Sequence, residues 1–163
     1  MDIPIRFKLY LFWKNLFSKK EHSPHIKITK DGRGVKSVLF FLPEKKEDAK
    51  VINYFVKVEN PLSHYEIGLV CSDKSKSFYP HVDNVSLFTY GDSDLNYFKA
   101  IKSTTLLNEI KIKNYDAIVD LNTNFCAASS MLFFDLDSPL KIGFDSLINR
   151  KIYTITLERK ENA

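Results

Sequence analysis

Glycine and proline are scarce in these 163 residues, numbering five and six. A chain so poor in both is not fibrous and not a disordered linker. There are two cysteines, Cys71 and Cys126. Their spacing suits neither a disulfide framework nor a zinc cluster, so two buried, reduced thiols are expected. No run of about 18 apolar residues occurs, which excludes a membrane-spanning helix. No small-residue cleavage site follows the early apolar stretch, and a cytoplasmic location is the expectation. Charge of one sign is also limited. The net charge is +4, below the balance of a dedicated nucleic-acid binder, and no nucleic-acid partner is expected. Much of that excess lies before Gly34.

Apolar residues are plentiful at 44%, including 13 Phe and 8 Tyr. That is enough for one well-filled core, and the length suits one domain. Three segments are expected: a basic amphipathic helix over 1–20, a linker over 21–34 and a folded domain over 35–163. In the first, Ile5, Leu9, Phe12, Trp13 and Leu16 fall on one helical face. Arg6, Lys8, Lys14, Lys19 and Lys20 supply charge around and after it. Two readings of this segment stay open. Arg6, Lys8, Phe12, Trp13, Lys14 and Phe17 could contact an anionic membrane surface on its inner face. Alternatively, the apolar face packs against the domain or a partner protein.

The domain alternates apolar runs with helical stripes. Strands are expected over 38–42, 65–71, 84–90, 115–122, 140–144 and, as an edge, 152–157. Helices are expected over 44–60, 95–113 and 125–136. Such alternation predicts an α/β, Rossmann-like, doubly wound and mostly parallel sheet of five or six strands with flanking helices. Ligands bind such sheets at the carboxyl ends of the strands, near the reversal of strand order. Glu44, Asn122, Thr123 and Asn124 are therefore the expected ligand contacts.

The sequence after the first strand is Leu-Pro-Glu-Lys-Lys-Glu-Asp, with no G-x-G-x-x-G and no P-loop. Its acids would repel a pyrophosphate, so no cofactor is expected. Asp48 could serve as a general base or simply face the positive end of a helix dipole. Asp120, inside an apolar strand, is expected to be hydrogen-bonded and structural. His22 and His25 have no nearby third ligand, and no metal site is expected.

The order of motifs resembles the N-terminal half of the lipopolysaccharide heptosyltransferases, glycosyltransferase family 9. Tyr115-Asp116-Ala117-Ile118-Val119-Asp120-Leu121-Asn122 is similar to that family's Y-D-x-x-I-D-L-Q strand. Lys141-Ile142-Gly143-Phe144-Asp145 is similar to its R-I-G-F-D strand, and His81-Val82-Asp83-Asn84-Val85 to its pattern before the third strand. The resemblance puts Asp48 on the family's catalytic base and implies a lipid-linked sugar acceptor. Leu42, Glu44 and Glu47 stand where the family's loop has Arg, Ser and Gly. The family's second domain, which binds the nucleotide sugar, has no counterpart in these residues. The expected function is thus a degenerate, non-catalytic binding or scaffolding module. The alternative is an acceptor-binding domain acting with a separate donor-binding chain. Short stand-alone bacterial proteins of unknown function share a similar central strand, closing strand and basic leading segment.

Overall fold

The computed structural model describes residues 5, 8–10, 12, 34–55, 65–79, 85–145 and 152–158. Six strands form one sheet: β1 (Ser37–Phe41), β2 (Glu66–Ser72), β3 (Val85–Tyr90), β4 (Ala117–Asp120), β5 (Leu140–Phe144) and β6 (Ile155–Leu157). Their spatial order is β3-β2-β1-β4-β5-β6. Every pairing is parallel. The expected doubly wound sheet is present, with all six strands parallel rather than most of them.

Among the described residues, three helices flank it: α1 (Lys46–Phe55), α2 (Thr104–Lys113) and α3 (Ala127–Asp135). Right-handed crossovers put a helix on one face when the chain steps one way and on the other when it steps back. The packing follows that rule. Leu39, Phe41, Val70, Tyr90 and Ile118 meet Leu106 and Ile110 of α2 and Leu132 and Phe133 of α3. On the opposite face Leu42, Leu69 and Cys71 are packed with Ile52 of α1 and with Tyr79. The reversal of strand order falls between β1 and β4, where Val38 to Phe41 lie beside Ala117 to Asp120.

One expected helix is much shorter than its hydrophobic stripe suggested. Residues 95–103 are not helical, and α2 begins at Thr104. The Asn96 side chain accepts hydrogen bonds from the backbone N–H groups of Phe98 and Ala100. Lys99 takes a left-handed backbone with φ 60°. A short bridge between Leu95 and Ile101 closes the resulting loop. Asn side chains compete with helical hydrogen bonding in this way. Ser103 then starts the helix, its Oγ accepting from the Leu106 N–H. Elsewhere the differences are at element ends: α1 starts at Lys46 and α3 spans Ala127–Asp135.

The Tyr-Asp strand motif begins with a structural clamp. Asp116 Oδ2 accepts from the backbone N–H groups of Lys36 at 2.8 Å and Ser37 at 3.0 Å. Its own N–H donates to Ser37 Oγ at 2.9 Å. This ties the start of β4 to the start of β1. The Lys36 N–H, with the Ser37 groups, holds the Asp116 carboxyl below its ordinary value. A lowered acid contributes stability above its unfolded value, and that contribution is lost as pH falls. Asp116→Asn should therefore cost about 1–2 kcal/mol at neutral pH, the worth of a hydrogen bond to a charged group. The cost should fade below a pH of about 4. Urea melts at neutral and acid pH check this; an equal loss at both would mean that charge is irrelevant to the clamp.

Candidate functional site

At the carboxyl end of β1 the chain runs through Leu42 and Pro43 to Glu44. The ends of β1 and β4 stay joined past the strands, since Leu121 N–H donates to Phe41 O at 3.0 Å. Glu44 and Asn122 thus leave the sheet at adjacent strand ends, as the strand-end rule requires. Their side chains are engaged by the protein itself. Glu44 Oε1 accepts from the hydroxyl of buried Tyr90 at 3.1 Å. Asn122 turns back on β4, donating from N–H and Nδ2 to Asp120 Oδ1 at 2.9 and 2.7 Å. Asn124 Nδ2 donates to Thr123 Oγ1 at 3.3 Å.

Asp48 stands in the first turn of α1, where an acid complements the helix dipole. It is half-buried and forms no hydrogen bond or ion pair among the described residues. Its charge acts on Tyr79, whose hydroxyl donates to Pro43 O at 2.6 Å. No hydrogen bond joins Asp48 to Glu44 or to Asn122, Thr123 and Asn124 among the described residues.

Asp120 forms the densest polar cluster at this end. It is 3% exposed, and Oδ2 accepts from the Tyr153 hydroxyl at 2.6 Å. Burial pushes its carboxyl above the ordinary value, against the opposing hydrogen bonds of Ser129, Tyr153 and Asn122. Burial likewise raises the Tyr153 and Tyr90 hydroxyls, which stay protonated donors. The network links β4, α3 and the segment before β6. Hydrogen-bonded burial of this kind is the structural role expected for Asp120.

Tyr90 and Tyr153 were not singled out by sequence reasoning. A signal for Tyr153 existed: Gly143 lies inside β5, and strand glycines often mark a close approach. A Cβ on Gly143 would overlap the Tyr153 ring. Gly68 has the same relation to Tyr115. Lys141, at the head of the closing motif, also acts structurally. Its Nζ donates to Phe133 O and Leu136 O, both at 2.7 Å, and so caps the end of α3. Burial lowers its pKa.

Charges of both signs meet at the strand ends, where exposed Lys45, Lys46 and Lys74 accompany Glu44, Asp73 and Asp92. Asp73 and Asp94 both lie against Gly91, and Asp94 Oδ2 accepts the Gly91 N–H at 2.9 Å. Lys74 pairs with Asp92 at 2.8 Å, and it also feels Glu44. That pair is solvated on both sides and adds little stability. Neither cysteine is an activated nucleophile, because burial pushes both thiols up to about 11. No group of three or more potential metal ligands occurs among the described residues. A cavity of about 330 Å³ lies at the other end of the sheet, among Ile110, Asn114, Tyr115, Ile118, Asp135 and Ser138.

The N-terminal segment meets the domain near this carboxyl end. Ile5, Lys8, Leu9, Tyr10 and Phe12 are helical. Tyr10 stacks on Phe98 with ring centroids 5.4 Å apart, in a cluster with Ala100, Phe125, Ala127 and Met131. Phe125 directly follows the Asn122–Asn124 turn, so the segment docks beside the loop after β4. The stripe residues Ile5, Leu9 and Phe12 are 73%, 56% and 62% exposed. Lys8 is exposed too. Arg6, Trp13, Lys14, Phe17, His22, His25 and almost all of the expected linker lie outside the described residues. Among the described residues no helix is long and apolar enough to cross a membrane. No protein-family model and no curated protein matches the chain.

Proposed function

We propose that this chain is a heptosyltransferase-like half domain that binds rather than transfers. In this reading its N-terminal segment attaches it to a membrane surface or a partner protein. The observation that carries the reading is the orientation of that segment. Tyr10 faces the domain, while Ile5, Leu9 and Phe12 present apolar surface to solvent beside Lys8. Exposed apolar stripes flanked by basic residues are the mark of interfacial helices. The absence of transfer is supported by the strand ends, where Asn122 and Glu44 are held by internal partners.

Trp13 is the single tryptophan, so its emission reports on the segment directly. Mixing the full chain with vesicles containing phosphatidylserine should shift the emission to the blue, and added salt should reduce the shift. Unchanged emission, with no co-sedimentation of the protein, would refute the membrane form of the reading. One observation favours a second reading, an acceptor-binding domain that works with a donor-binding chain. Asp48 is half-buried and has no partner among the described residues, as a base would be. Thermal shift with a lipid-linked sugar acceptor separates the readings, since the nucleotide sugar would be held by the donor-binding chain. A true ligand at 100 times its dissociation constant should stabilise the fold by about 2.7 kcal/mol. The binding-module reading expects no shift.

A further inference from the structure

We propose that the lipid-binding surface is composite. It joins the N-terminal segment to the 95–102 loop, with Tyr97 as a second insertion point on an anionic bilayer. This rests on the membrane form of the reading above and extends it to a part of the domain that the segment does not include.

The loop is built to hold a tip outward. Asn96 N–H donates to Ala100 O, and Lys99 N–H donates to Asn96 O, both at 2.9 Å. The Asn96 side chain accepts from Phe98 N–H at 2.8 Å and Ala100 N–H at 3.1 Å. Lys102 N–H donates to Asp94 O at 2.8 Å, which fastens the base. Within this frame Phe98 turns inward under Tyr10, and Tyr97 turns outward to 80% exposure. The two rings meet edge to face, with centroids 5.5 Å apart. Tyr10, Phe98 and Tyr97 therefore form one continuous aromatic train from the segment to the loop tip.

Apolar and basic groups occur together on both parts. The segment supplies Ile5, Leu9 and Phe12 with Lys8. The loop supplies Tyr97 with exposed Lys99 and Lys102. Asp92 pairs with Lys74 and also acts on Lys99, while Asp94 accepts the Gly91 N–H. Tyrosine favours the headgroup level of a bilayer, with its ring in the apolar zone and its hydroxyl in water. Lysines beside it answer the negative charge of the lipid. A rigid tip also loses little conformational freedom on insertion. With two contact points the domain is oriented, its loop after β3 turned toward the lipid.

The test uses the full chain with Trp13→Phe and Tyr97→Trp, which leaves one reporter at the loop tip. On vesicles of phosphatidylserine mixed with phosphatidylcholine, its emission should shift to the blue and be quenched by lipids brominated on the acyl chain. Tyr97→Ser in the otherwise native chain should weaken partitioning by about tenfold, as expected for losing one interfacial aromatic. Lys99→Gln should weaken it by about fivefold at low salt. If Trp13 responds to these vesicles but the residue-97 reporter does not, the composite surface is overturned and the simpler attachment stands. If neither responds, both fall. If the residue-97 reporter responds equally to pure phosphatidylcholine, recognition of anionic lipid is overturned.

Discussion

Asp120→Ala should lower the unfolding free energy by about 3 kcal/mol, as expected for leaving buried donors without an acceptor. The carboxylate receives the Tyr153 hydroxyl on one oxygen and both Asn122 donors on the other. Truncation strands the Tyr153 hydroxyl in the core and frees Asn122 from its turn. The measurement is a urea melt, with the midpoint moving and the slope held. A loss below about 1 kcal/mol would mean that water replaces the carboxylate without cost.

The pH dependence of an isosteric variant adds a second check. Burial raises the Asp120 carboxyl in the folded chain. An acid with a raised folded value binds its proton more tightly folded than unfolded. Its contribution to stability is full below the unfolded value of about 3.9 and is lost as pH rises through the folded value. Asp120→Asn cannot ionise. The native chain should therefore exceed this variant most at and below pH ~4, and the gap should narrow as pH rises above it. Asp116, with its lowered pKa, carries the opposite slope. A gap at Asp120 that widens with pH would show that its hydrogen bonds outweigh its burial.

Gly143→Ala should cost about 2–3 kcal/mol, the range for forced overpacking. The added methyl would occupy space held by the Tyr153 ring. That ring is itself fixed at both ends. It meets Phe133 edge to face with centroids 5.3 Å apart, and its hydroxyl is bound to Asp120. A ring displaced to admit the methyl loses one of these contacts. The effects of Gly143→Ala and Asp120→Ala should consequently be less than additive in the double variant, since both act through Tyr153. Strict additivity would show that the ring has room to swing without releasing the carboxylate.

The strands were legible because a parallel sheet buried on both faces demands nearly unbroken apolar runs. Val38 to Leu42 carries that pattern without a break, and Leu140 to Phe144 carries it around Lys141 and Gly143. The 95–103 region misled because Leu95, Phe98 and Ile101 fall at helical spacing. Ile101 is indeed buried, yet Asn96 draws the backbone into a loop. Periodicity records which residues face inward, and a loop can satisfy it as well as a helix. The candidate site was less legible. Chain order located Glu44 and Asn122 at strand ends, but it could not show their partners Tyr90 and Asp120. Tyr90 approaches Glu44 across the sheet from β3, a contact that only the strand order creates. The motifs that suggested a sugar transferase contain Asp116, Asp120, Gly143 and Lys141, and each of these has a packing or clamping role here. Such motifs mark how strands are joined more directly than what they bind.

The strand order also has a consequence for synthesis on the ribosome. β1 is the central strand, yet the clamp that closes one of its edges joins Ser37 to Asp116, 79 residues later. β1, α1 and β2 can assemble as soon as they emerge. The second edge of β1 must wait for β4. During that interval Val38, Leu39, Phe40 and Phe41 present a two-sided apolar strand with one open hydrogen-bonding edge. Long-range parallel pairings of this kind form slowly and leave aggregation-prone edges in the meantime. The nascent chain is thus most vulnerable after β2 has docked and before the Tyr115-Asp116 motif has left the exit tunnel.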